Sequence, residues 1–105
     1  MHIQVINFRL RGLSEGDYQS LCDQLAPSFR DVPGLISKVW LARPEDNTYG
    51  GVYTWQSRQA MAAFTETELF QAVLNHPNLA DIQSTDYAVL EEPSRVTRGV
   101  AGAVV

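Results

Sequence analysis

Six residues of this sequence carry side chains suited to binding or transforming a small molecule: Asn7, Arg9, Lys38, Trp40, Tyr53 and His76. An amide such as Asn7, set among apolar neighbours on a strand, costs a few kcal/mol unless it finds partners. It is therefore either a satisfied structural amide or a contact for a substrate oxygen or enolate. Lys38 lowers the pKa of a phenol if its charge points into a pocket, or else snorkels to the surface along its aliphatic stem. Trp40 and Tyr53 are aromatic wall or ordinary core. His76 precedes Pro77 at a helix end, where an imidazolium complements the C-terminal dipole and a neutral ring serves as a base. Arg9 either binds an anionic substrate or lines an interface.

Other chemistries are excluded. His2, Cys22 and His76 lack metal-ligand spacing, and neither a His-Glu-X-X-His motif nor paired cysteines occur, so no metal site is expected. Gly50-Gly51 lies in a strand-like run with no following Lys-Ser/Thr; it marks a bulge or a close backbone approach, not a phosphate loop. There is no Gly-X-Ser-X-Gly elbow. Cys22, the single cysteine, falls on the apolar stripe of a helix and reads as a small core residue.

The elements that position these residues follow from periodicity. At 105 residues the chain fits one domain, and a net charge of -4 with no basic stripe argues against nucleic acid. No apolar run approaches a membrane span, no signal pattern opens the chain, and a lone cysteine agrees with a reducing compartment, so a cytoplasmic location is expected. Residues 2–10 alternate as a strand, with Ile3, Val5, Asn7 and Arg9 on one face and Gln4, Ile6, Phe8 and Leu10 on the other. Ser14 and Asp17 form a cap for a helix carrying Tyr18, Leu21, Cys22 and Leu25 on one side, expected to end or kink near Ala26 because of Pro27.

Gly34 to Trp55 is the organising stretch: two runs rich in β-branched and aromatic residues flank Pro44-Glu45-Asp46-Asn47, the pattern of a hairpin. Simple alternation puts Ile36, Lys38, Trp40 and Ala42 on one face and Leu35, Ser37, Val39 and Leu41 on the other. Both faces are substantially apolar, so helices must cover one and something else the second. A second helix capped by Ser57 is interrupted at Thr65–Glu68 and resumes with Leu69, Phe70, Val73 and Leu74. A strand over 82–90 completes the order βαββαβ. That order predicts a ferredoxin-like α+β fold: one domain over 1–92, a four-stranded antiparallel sheet, and both helices on one face. The tail 93–105 lacks helical periodicity and reads as a mobile end or an arm over a partner.

The element order, the Pro33-Gly34-Leu35 turn, Lys38-Val39-Trp40 and Tyr49-Gly50-Gly51-Val52-Tyr53 together resemble the YdhR-type monooxygenase family, within the dimeric α+β barrels near the antibiotic-biosynthesis monooxygenases. The resemblance spans about residues 2 to 92 and implies a homodimer whose two sheets close into a barrel, with one pocket per subunit. It further implies oxidation of an aromatic or polyketide-like molecule by molecular oxygen with no flavin, haem or metal, and Trp40 and Tyr53 match its aromatic positions. Cyclases, isomerases and non-catalytic binders share the superfamily, so a cofactor-free cyclase or isomerase and a small-molecule-binding dimer stand as alternatives.

Overall fold

The computed structural model describes residues 1–100. β1 (His2–Leu10), β2 (Leu35–Arg43), β3 (Thr48–Trp55) and β4 (Leu79–Ala88) form one antiparallel sheet in the order β2-β3-β1-β4. α1 (Glu15–Arg30) links β1 to β2, and α2 (Arg58–Thr65) with α3 (Glu68–Leu74) links β3 to β4. This is the expected ferredoxin-like arrangement. None of the described helices is long and apolar enough to cross a membrane.

Each helix starts where its sequence supplies a cap. Ser14 Oγ accepts the Asp17 N–H at 3.1 Å, and Ser57 Oγ accepts the Ala60 N–H at 3.1 Å. The interruption at Thr65–Glu68 divides the second helix into two, because Thr67 caps α3 by accepting the Phe70 N–H at 3.2 Å.

Three expectations need correction. α1 runs through Pro27 to Arg30. Pro27 removes one helical hydrogen bond and crowds the carbonyl a turn before it, and the helix continues through it with Phe29 buried in the core. A bulge between Leu35 and Ser37 shifts the start of β2, so Leu35 packs on the core while Ile36, expected beside Lys38, is exposed. The tail begins with a short helix, α4 (Glu91–Val96), where no helix was expected. The remainder of that tail, residues 101–105, lies outside the described residues.

The core fills the space between the helices and one sheet face. At one end Trp55 is fully enclosed against Phe64, and its indole N–H donates to Gln4 Oε1 at 3.1 Å. Gln4 Nε2 in turn donates to Ser84 Oγ at 3.2 Å, so both ends of the Gln4 amide are satisfied, whereas the buried His2 Nε2, on the position paired with Trp55, has no hydrogen-bond partner among the described residues. The Pro33-Gly34 turn closes tightly over α2: a Cβ on Gly34 would stand 2.4 Å from Ala60 Cβ, and its φ of +81° favours glycine. The opposite sheet face carries Ile3, Val5, Val39, Leu41 and Val52 with none of the described helices packed on it, and Val39 is 57% exposed.

Candidate functional site

At the other end of the same layer the core is hollow. A cavity of about 160 Å³ opens between α1, α3 and the sheet. Tyr18, Cys22, Leu25 and Phe29 face it from α1, each a turn or so along the same stripe, and Leu69 and Val73 face it from α3. Lys38 and Trp40 enter from β2, Tyr53 from β3 and Phe8 from β1, with His76 at the exit of α3.

Strand register sets these neighbours. Lys38 pairs with Tyr53 and Trp40 with Gly51. Gly51 has no side chain to lift Lys38 away: a Cβ there would lie 2.9 Å from Lys38 Cε and 3.4 Å from Tyr53 Cε1. Gly50 is the close approach that the Gly-Gly pair suggested. Its φ is +154°, and a Cβ would come within 1.8 Å of the Ile6 carbonyl oxygen, which lets β3 press against β1 beneath the cavity.

Lys38 is the chemical centre of the cavity. Its Nζ lies 3.4 Å from the ring centroids of both Phe29 and Trp40 and 4.7 Å from that of Tyr53. It makes no hydrogen bond or ion pair among the described residues, and the cavity lining contains no carboxylate. Two effects oppose each other. Ring faces attract an ammonium, while removal from water penalises it. Desolvation is the larger, and it brings the pKa of Lys38 down from 10.5 to about 7. Burial also pushes the Tyr18 and Tyr53 hydroxyls and the Cys22 thiol upwards, so these stay protonated around the amine. His76 accepts the Asn78 backbone N–H on Nδ1 at 3.1 Å, which leaves the ring proton on Nε2.

The structure thus brings Lys38, Trp40, Tyr53 and His76 together and leaves out Asn7 and Arg9. Asn7 shares its face with Ile3 and Val5, opposite the helices, and its amide only reaches Tyr49 O at a long 3.5 Å. The expectation that Asn7 provides the polar contact of a Trp40–Tyr53 pocket is therefore corrected: one sheet separates them. Arg9 joins Asn7 in a shallow polar groove with Arg43 and Asp81, so it does not reach the cavity either. The sequence reading places Tyr18, Leu21, Cys22 and Leu25 as packing only. Their stripe was visible in the helical period, but an amphipathic stripe does not reveal whether it closes on a solid or a hollow.

Together the fold and the cavity define a ferredoxin-like α+β protein of the antibiotic-biosynthesis monooxygenase fold, with a small apolar site between helices and sheet. More narrowly, the chain belongs to the family described as "Putative mono-oxygenase ydhR", which matches residues 3–100. No curated protein matches the sequence. Among solved structures, a putative antibiotic biosynthesis monooxygenase from Deinococcus radiodurans is similar at 18% identity and TM-score 0.70, over 85% of this chain and 92% of that one. SnoaB, a cofactor-independent oxygenase from Streptomyces nogalater, is similar at 17% identity and TM-score 0.67, over 86% and 94%. The haem-degrader MhuD from Mycobacterium tuberculosis is similar at 15% identity and TM-score 0.69, over 86% and 96%. At these identities the likeness is one of fold.

Proposed function

We propose that the protein is a cofactor-independent monooxygenase acting on a small phenolic or polyketide-like aromatic, with Lys38 as the base that ionises the substrate. The observation that carries this reading is a half-buried, unpaired amine inside an aromatic cavity. Oxygenation without a cofactor needs a substrate that gives up an electron itself, and a phenolate does so far more readily than a phenol. An amine with a pKa of about 7 accepts the phenol proton near neutral pH. The resulting ammonium is then held by the ring faces and by the phenolate, in surroundings that exclude water. The overall reaction, phenol plus dioxygen to quinone plus water, balances with no external reductant.

Cavity size narrows the substrate. Apolar cavities of about 150 Å³ hold a single benzene ring, so the 160 Å³ here suits one ring. Fused polycyclic molecules would require α1 or α3 to move.

The test is oxygen uptake and product mass for a panel of substituted phenols and naphthols. Oxygen consumption with a quinone product is expected, falling at least about tenfold in Lys38→Met, the size of effect typical for a lost general base. A product of unchanged mass would indicate an isomerase or cyclase instead. Ligand-induced stabilisation with no turnover would indicate a binding protein.

We further infer that the uncovered sheet face pairs with its equivalent in a second copy. Val39, Leu41, Val52, Ile3 and Val5 form an apolar surface there, and a two-fold pairing is the simplest way to cover it. Sedimentation at micromolar concentration should give a dimer; a species of one chain alone would remove the idea.

A further inference from the structure

We propose that Lys38 captures small aromatic aldehydes covalently, as an imine formed inside the cavity. The idea uses the same cavity as the oxygenase reading and is independent of any reaction with oxygen.

Lys38 is the only lysine of the 105 residues, and its Nζ is placed against two ring faces at 3.4 Å with no carboxylate to hold its proton. A nucleophilic amine must be unprotonated, and burial brings this one to a pKa of about 7, where a substantial fraction is free base at neutral pH. The titratable groups facing it are Tyr18 and Cys22 from α1, Tyr53 from β3 and His76 beyond α3; none is a carboxylate that would anchor an ammonium. Cys22, the other nucleophile in the lining, is kept as a thiol by burial and does not compete as a thiolate. The cavity admits one aromatic ring, and its aromatic walls offer that ring stacking and edge contacts.

The reaction is a condensation without redox change. The Nζ lone pair attacks the carbonyl carbon, the C=O π pair moves to oxygen, and one N–H proton passes to that oxygen to give a carbinolamine. Nitrogen then expels the hydroxyl group, which leaves as water with a proton. The second N–H proton is lost and the C=N bond forms, so one amine and one aldehyde give one imine and one water. The proton for the departing hydroxyl comes from solvent; His76, with its ring proton on Nε2, lines the same cavity.

The experiment is reductive trapping of the wild-type protein with benzaldehyde and cyanoborohydride at pH 7, read by intact mass and peptide mapping. The N-terminal amine, paired with Glu91 at 3.1 Å, is the only other primary amine and serves as an internal reference. The expected result is one benzyl group on Lys38, added at least about tenfold faster than at the N-terminus, a difference in reactivity of the kind a desolvated lysine shows. Phenol, which fits the cavity and has no carbonyl, should slow the labelling of Lys38 and leave the N-terminus unaffected. Anthracene carbaldehyde, too large for the cavity, should label the N-terminus alone. Lys38→Arg should abolish the fast phase; should that variant fail to fold, phenol protection and the size cutoff in the wild type still decide. Equal labelling of the two amines, or equal labelling of Lys38 by the small and the large aldehyde, overturns the proposal. Oxygen uptake with no aldehyde capture would leave the oxygenase reading standing and remove this one, and the converse result would do the reverse.

Discussion

The two tryptophans lie on paired strands of one sheet and face the same helical layer, yet they serve opposite ends of it. Trp55 is wholly enclosed, stacked on Tyr53 and tilted against Phe64, with its indole N–H satisfied by Gln4. Trp40 is half-buried, sits opposite a glycine, and shares its ring face with a lysine amine. The first is packing completed. The second is packing withheld, because Gly51 contributes no side chain and Lys38 contributes a group that prefers water. A layer filled at one end can carry a hollow at the other, since the filled end supplies the stability that the hollow gives up.

The sharpest way to break this contrast is to truncate both rings. Trp55→Ala should cost about 3–5 kcal/mol in urea denaturation, because it leaves a large cavity and strands Gln4 Oε1. Trp40→Ala should cost about 1–2 kcal/mol, since it enlarges a space that is already open. Equal losses at the two sites would mean that Trp40 is ordinary core.

A smaller effect is expected from the two adjacent glycines. Gly50→Ala should lose about 2–3 kcal/mol, for its Cβ meets backbone at 1.8 Å and its φ disfavours any side chain. Gly51→Ala should lose less, because the atom it meets at 2.9 Å is Cε of a flexible lysine that can shift. The same substitution should weaken ligand-induced thermal stabilisation by small phenols by moving Lys38 into the cavity. Unchanged ligand response in Gly51→Ala would separate the glycine from the site.

The pH dependence of stability sharpens the electrostatic half of the contrast. The unfolded lysine holds its proton to about pH 10.4, while the folded one releases it from about pH 7. Across that window the unfolded state binds more protons, so stability rises with pH, by up to about 1.4 kcal/mol per unit. Below pH 7 both states are protonated and the gain is absent. Cys22 acts oppositely, because its folded thiol keeps a proton that the unfolded one loses above about pH 8.5. The raised Tyr18 and Tyr53 hydroxyls act the same way above about pH 10. The difference in melting temperature between wild type and Lys38→Met isolates the lysine, and it should shift in favour of wild type between pH 7 and 8.5. A difference independent of pH would show that the amine is solvated.

The smallest effect belongs to the other side of the sheet. Asn7→Leu should change monomer stability by no more than about 0.5 kcal/mol, given its single long hydrogen bond and its distance from the filled core. It should also leave phenol binding intact. Loss of phenol binding in Asn7→Leu would put the site on the opposite face and undo the contrast.

Much of this fold was legible in the sequence because it rests on local signals. The Ser14 and Ser57 caps, the interruption before Leu69, and the polar turn at Pro44–Asn47 each act within a few residues, and each stands where the pattern put it. Asn7 failed for a different reason. Its strand parity was read correctly, but parity says only which residues share a face, and the pairing Asn7–Gly50–Leu41 against Ile6–Gly51–Trp40 decides which face meets the helices. That register is a long-range fact. Lys38 and Trp40 were assigned together correctly because both lie beyond the bulge, whereas Leu35 and Ile36, before it, exchanged faces. At Pro27 the local signal for a helix end was overridden by a long-range one, the burial of Phe29 in the core two residues on.

The break between α2 and α3 bears on time as well as on space. α2 belongs to the filled end through Met61 and Phe64, whereas α3 is seven residues long, buries only Phe70, and supplies the cavity wall at Leu69 and Val73. A continuous helix would tie the wall to the most stable part of the core, so that every opening carried the cost of disturbing both. Divided at Thr67, the wall is tied to α2 by the edge contact of Phe70 on Phe64 at 5.1 Å, so the backbone amides of α3 should exchange with deuterium faster than those of α2 in a hydrogen-exchange measurement.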